Sequence, residues 1–145
     1  MSTPPPASGS RPPGWQQAHA KRYIESDGRD GHILEGVTTL LLTTTGRRSG
    51  QTRTTPLIYG RAGEKYLIVA SRGGAPKHPG WYENLAANPV VQVQVMADRF
   101  KARARTATPA EKPALWKTMA AIWPPYEEYQ QRAQREIPVV ILERI

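Results

Sequence analysis

The 145-residue chain contains no cysteine. That excludes disulfides, thiolate zinc sites and a cysteine nucleophile, and it leaves the redox compartment unmarked. Histidine is scarce: His19, His32 and His78 stand far apart, so no metal centre is expected. No apolar run approaches the roughly 20 residues of a membrane helix. The polar, proline-rich start has no secretory-signal pattern, so a cytoplasmic protein is expected. There is no G-x-G-x-x-G and no regular strand–helix–strand rhythm, which argues against a doubly wound dinucleotide fold. Neither a catalytic triad, a nucleophile elbow nor an acid–base pair appears. Acidic residues are also short, 12 against 20 Lys and Arg, for a net charge of +8. Such an excess suits an anionic partner: nucleic acid, acidic lipid or a polyanionic cofactor.

What is present reads as a globular chain, 39% hydrophobic and 22% charged. Residues 1–14, MSTPPPASGSRPPG, cannot bury a core and are expected to be a disordered tail. Residues 15–145 suffice for a single domain. The charge is concentrated. Between Gly46 and His78, Arg47, Arg48, Arg53, Arg61, Lys65, Arg72 and Lys77 face Glu64 alone, so +6 of the +8 lies in less than a quarter of the chain.

Taken in order, Trp15–Asp27 reads as an amphipathic helix, with Trp15, His19 and Tyr23 on one face and Ala20 and Ile24 beside them. Packing on the rest of the fold is its expected role; a membrane-facing or substrate-covering helix is the alternative, since Trp15 and Tyr23 lie near Lys21 and Arg22. Leu40–Thr45 and Thr54–Tyr59 read as strands joined by a tight basic turn. Lys65–Ser71 is a buried-type strand after a turn at Arg61–Glu64. Arg72–Lys77 is expected as a loop, because Gly-Gly and Pro oppose helix and sheet. Pro79 suits a helix start and Pro89 ends that helix at Asn88. Val91, Val93 and Val95 alternate with Gln92 and Gln94, and Phe100, Ala102 and Ala104 with Lys101, Arg103 and Arg105, which predicts a hairpin. Thr108–Glu111 is a capping box. The helix it opens is broken at Pro124 and Pro125, a second short helix follows over Tyr126–Arg135, and Ile137–Leu142 is a last strand. Five or more mostly antiparallel strands with three or four short helices predict a mainly β (α+β) fold, a small closed or split β-barrel with peripheral helices.

The turn in LLLTTTGRRSGQTRTTPLIYG carries the first functional signal. Gly46 and Gly50 bracket Arg47, Arg48 and Ser49, and Arg53 follows. Converging backbone N–H groups, a hydroxyl and three guanidiniums make an anion site; a solvated hairpin tip is the plain alternative. The string TTTGRRSGQTRTTPLIYG resembles the signature of the deazaflavin-dependent nitroreductase family, whose members are split-barrel oxidoreductases using coenzyme F-420. VASRGGAPKHPGWYENLAANPVVQVQV and WPPYEEYQ before IPVVILE are similar to the same family. The resemblance runs from about Trp15 to the C-terminus, in order and in register.

That resemblance implies a split, FMN-binding-like β-barrel. It also implies hydride transfer from reduced coenzyme F-420, an 8-hydroxy-5-deazaflavin, to an electron-poor quinone, enone or nitro compound. By resemblance Arg47, Arg48 and Ser49 hold the anionic tail, and Arg53, Thr54, Thr55, Pro56, Leu57 and Ile58 line the cofactor. Val69, Ala70, Ser71 and Arg72 approach its ring, and Gly80, Trp81, Tyr82, Glu83 and Asn84 close the groove. Lys77 and His78 add phosphate contacts, or else are surface charge. Trp123, Tyr126 and Tyr129 form the substrate lid; Trp123 stands where the best-known quinone-reducing members carry tyrosine. Ser71, Tyr126 and Tyr129 are the candidate catalytic donors, and Tyr126 also touches the cofactor. A protein of this type needs no acid–base machinery, because the cofactor carries the chemistry.

Three rivals share some of these features. An FMN-dependent split barrel has the same fold, but one phosphate does not call for so basic a turn. A non-catalytic deazaflavin carrier uses the same groove without turnover. A nucleic-acid binder is disfavoured, because aromatics do not interleave with the basic residues as a stacking platform requires. The expected partner is a small-molecule acceptor, with no nucleic acid, the protein being a monomer or weak dimer. Peripheral association at the inner face of the cell membrane is expected if that acceptor is a lipid quinone.

Overall fold

The threonine- and leucine-rich run forms β2 (Val37–Thr45), the spine of a computed structural model that describes residues 13–145. The expected disordered tail lies outside the described residues, save Pro13 and Gly14, which form a turn before the first helix. The remaining strands are β1 (Ile33–Leu34), β3 (Thr52–Ile58), β4 (Gly60–Ala62), β5 (Lys65–Val69), β6 (Val90–Val95), β7 (Asp98–Thr106) and β8 (Val139–Arg144). The helices are α1 (Trp15–Glu25), α2 (Gly80–Ala87), α3 (Lys112–Ile122) and α4 (Pro125–Ala133).

Every strand pairing is antiparallel, in the order β1-β2-β6-β7-β8-β5-β4, with β3 also on β2. β3 and β4 are one stretch of chain interrupted at Tyr59. Its first part pairs with β2 and its second with β5, so a single segment ties the two ends of the sheet and curls it into the expected split barrel.

The apolar runs of β5 and β8 are continuous because both their faces are buried. Tyr66, Ile68, Val140 and Leu142 point into the barrel, where they meet Leu40, Leu42, Val91 and Val93. Leu67, Val69, Val139 and Ile141 point outward under Met119, Trp123, Tyr126 and Tyr129 of the α3–α4 region. Alternation along the strand therefore fixes which layer each side chain joins. α1 covers the outer face of β2 through Ala20 and Tyr23 against Leu41.

Several local expectations need correction. Arg61 and Ala62 belong to β4, so the turn shrinks to Gly63–Glu64; β4 is the short edge that pairs with β5. Arg72–Gly74 closes into a tight turn with 3-10-type hydrogen bonds, Gly74 donating to the Ser71 carbonyl and Ala75 to the Arg72 carbonyl, while Arg72, Gly73 and Gly74 take positive φ outside the right-handed helical region. Ile24 is exposed, and the buried face of α1 is His19, Ala20 and Tyr23. Gln94 is buried despite its place on the polar side of β6. Its amide donates to the Met96 carbonyl (2.9 Å), and the Tyr23 hydroxyl accepts the Met96 N–H nearby. The capping box forms both of its hydrogen bonds, Thr108 N–H to Glu111 and Glu111 N–H to Thr108, although α3 itself opens at Lys112.

Candidate functional site

A cavity of about 950 Å³ lies where the β2–β3 turn, the start of α2, the Arg72–Gly74 turn and the α3–α4 junction converge. Its basic lining is positioned by the turn. Gly46 donates to Gln51 (2.7 Å), Gly50 donates to Gly46 (3.0 Å) with φ near 73°, and the Ser49 hydroxyl accepts the Gln51 N–H (3.1 Å). A Cβ on Gly46 would come within 2.6 Å of that hydroxyl and 3.2 Å of the Gln51 carbonyl, so a larger residue there would displace the Ser49 side chain. Arg47 does not dangle from this tip. Its guanidinium meets Glu83 at 2.7 Å and donates to Asn84 Oδ1 at 2.9 Å, while Asn84 Nδ2 reaches Thr44. These contacts tie the turn to α2. Arg48, Arg53, Arg72 and Lys77 also line the cavity, and none has a carboxylate partner among the described residues.

The aromatic lining comes from the other core layer. Trp123 ends α3, where the proline pair stops the helix, and Tyr126 and Tyr129 lie one turn apart on α4, their rings 6.1 Å apart and edge-on. All three border the cavity and are almost fully buried. Burial, helped by the neighbouring Tyr129 ring, raises the Tyr126 pKa well above the ordinary tyrosine value. Its hydroxyl keeps its proton at neutral pH. Trp116 packs behind Tyr126 and donates its indole N–H to Glu127 (2.8 Å).

Most expected site residues are brought together here. Arg47, Arg48, Ser49, Arg53, Thr55, Pro56, Leu57 and Ile58 reach the cavity from the β2–β3 hairpin. Val69, Ser71, Arg72, Lys77, His78, Gly80, Trp81, Glu83 and Asn84 reach it from the chain between β5 and α2. Three expected residues do not line it. Thr54 points to the other side of its strand, sharing a hydrogen bond with Thr43 (2.8 Å). Ala70 is fully buried, its N–H bonded to the Pro138 carbonyl. Tyr82 packs against the barrel core and bonds Thr106 through its hydroxyl.

Other contributors lie outside the expected site residues, although Trp15 belongs to the helix whose alternative reading is substrate-covering. Trp15 and Gln16 of α1 line the cavity, as do Leu34, Thr39 and Thr44. Arg135, between α4 and β8, follows Gln134, whose positive φ ends the helix. Its guanidinium donates to the carbonyls of Ala70, Ser71, Ala75 and Lys77 and to Nδ1 of His78 (3.0 Å). One side chain thus fixes much of the loop that forms this wall. Gly74 fits beneath α4 only because it lacks a Cβ, which would sit 2.9 Å from the Tyr129 carbonyl oxygen.

A curled antiparallel barrel with one cavity that is part basic and part aromatic defines a split-barrel cofactor-binding protein. The family model described as F420H(2)-dependent quinone reductase matches residues 15–144, and the chain belongs to that family. A Mycobacterium tuberculosis protein named as an F420H(2)-dependent quinone reductase is 45% identical over 135 residues, covering 87% of each chain. The solved structure of an F420-H2 dependent reductase, FDR-A, is 43% identical and superposes with a TM-score of 0.69 over 77% of this chain and 98% of that one. A further solved structure, described as a domain-swapped dimer, is 41% identical, with a TM-score of 0.71 over 92% of this chain and all of the other. No helix among the described residues is long and apolar enough to cross a membrane.

Proposed function

We propose that the protein reduces a quinone with reduced coenzyme F-420, and that the cavity holds both. The observation that carries this reading is the pairing, in one 950 Å³ space, of four basic side chains lacking carboxylate partners with three buried aromatics. The volume is that of a cofactor site. The residues present fit the group: a phosphodiester with a glutamate tail needs several cations, and Arg48, Arg53, Arg72 and Lys77 offer them. Arg47, already paired with Glu83, holds the turn in place beside them. Thr55, Leu57, Ile58 and Val69 suit the flat ring system, with Ser71 beside it.

When bound, the reduced deazaflavin supplies a hydride to the acceptor. The chain's own residues bind, orient and exclude water. Trp123 and Tyr129 offer flat apolar surface to a planar quinone. Tyr126, held protonated by burial, can donate a hydrogen bond to a quinone oxygen but cannot serve as a base. Ser71, 8% exposed, is a second donor. Residues 15–145 act as one domain in this reading, as a monomer or weak dimer. A lipid quinone would be met at a membrane surface.

The test is parallel titration of oxidised coenzyme F-420 and FMN, at two ionic strengths, into wild type and Arg48→Ala/Arg53→Ala. Coenzyme F-420 should bind at least about ten-fold tighter than FMN, and the gap should narrow as salt rises. The double variant should lose roughly 2–4 kcal/mol of coenzyme binding. Equal or tighter FMN binding would replace this reading with a flavin enzyme. Tight coenzyme binding without turnover on a quinone panel would replace it with a carrier.

A further inference from the structure

Arg135 donates to Nδ1 of His78 at 3.0 Å. A guanidinium has only donors, so Nδ1 must be the acceptor and a neutral ring must carry its proton on Nε2. The Arg135 side chain is itself held by four backbone carbonyls, Ala70, Ser71, Ala75 and Lys77. His78 lines the cavity beside Lys77, and its other face packs on the Tyr82 ring at 4.7 Å. We propose that Arg135 is a positioning residue acting through His78: it locks the imidazole as the neutral Nε2–H tautomer, so that this wall meets an anionic oxygen with an uncharged donor. The proposal rests on the reading of the cavity as a site for an anionic cofactor.

The charges around His78 agree with this. Arg135 from the α4–β8 link disfavours an imidazolium, and Glu83 on α2 favours one; Lys77 and Arg72 are the other cations on this wall. Desolvation, then the Arg135 charge, lowers the His78 pKa from its ordinary value, and Glu83 offsets only part of that. The consequence is a coenzyme affinity that does not vary as an ordinary histidine would titrate. Free of Arg135, the same ring would gain a proton on acidification and add a charge to the site.

Long-range nitrogen–proton NMR of the full chain labelled in histidine reads the tautomer directly, without cofactor. In wild type, His78 should show a bare Nδ1 and a protonated Nε2 between about pH 6 and 8. A proton on Nδ1, or ordinary titration in that range, would overturn the proposal, and this measurement decides even if Arg135 variants fail to fold. In Arg135→Gln, the His78 pKa should rise toward the ordinary value, with burial alone still holding it lower. The Kd for oxidised coenzyme F-420 should then fall roughly 3–10-fold from about pH 8 to 6, while wild type stays flat. Adding His78→Gln, which keeps a donor but cannot titrate, should abolish that dependence. A profile in Arg135→Gln parallel to wild type, or a dependence surviving in the double variant, would sink the idea. Unchanged coenzyme affinity in Arg48→Ala/Arg53→Ala would instead remove the cofactor from this cavity, leaving the tautomer result standing.

Discussion

At the scale of single residues, Tyr126 is the most exacting member of the aromatic wall. It is 5% exposed, and its hydroxyl makes no hydrogen bond to the described residues. The ring is buried, but the hydroxyl is accessible at the cavity, where it is free to donate to a quinone oxygen. Tyr126→Phe removes that donor while keeping the ring. It should therefore lower kcat/KM for quinones by roughly ten-fold, about 1.4 kcal/mol, and leave coenzyme affinity within about 0.5 kcal/mol. Because burial raises its pKa above 10.0, no ionisation of Tyr126 should appear in the rate profile on the neutral side of that value. Trp123→Tyr trades ring area for a hydroxyl and should change the ranking of acceptors. Steady-state kinetics on quinones, enones and nitro compounds, beside a direct coenzyme titration, check both. Wild-type behaviour on every acceptor would mean that these rings only fill the core.

At the scale of elements, the start of α3 is fastened to the sheet. Arg105 on β7 forms a two-pronged pair with Glu111 at 2.7 and 2.9 Å, and the Thr108 N–H donates to the same carboxylate. The Arg105 hydrogen bonds, then the Thr108 N–H, lower the Glu111 pKa from 4.5 to about 2. A carboxyl depressed in the folded state stabilises fully above its unfolded pKa and loses that contribution as pH falls through the folded one. The thermal midpoint of Glu111→Gln should thus lie below wild type above about pH 4.5, and the gap should close on acidification toward about pH 2. A gap independent of pH would mean the carboxylate's charge is not what matters. This capping box was legible because its two residues are three apart. The β2–β3 hairpin and the aromatic lid were legible for the same reason: each is a local string. Arg135 was not, because its partners lie 57 to 65 residues earlier in the chain. The burial of Thr39, Thr44 and Gln94 was equally hidden. Alternation assigns a side chain to a face, but only the neighbouring element decides whether that face meets water.

At the scale of the whole molecule, the excess charge and the cavity coincide, and the anionic-partner expectation drawn from composition takes on an address. Arg99, Arg105 and Arg144 are each matched by a nearby acid, whereas Arg48, Arg53, Arg72 and Lys77 are not. The order of the strands has a separate consequence for how the protein is made. β8 lies between β5 and β7, pairing with four residues of one and five of the other. Until residues 139–144 have left the ribosome, β5 and β7 are open edges and Leu67 and Ile68 have no cover on that side. Such edges invite pairing with other chains. A chain stopped at residue 138 should therefore collect in the insoluble fraction on expression, while full-length protein stays in the supernatant. Synthesis paused before residue 139 leaves a nascent chain with two open edges, and closure of the barrel waits on β8.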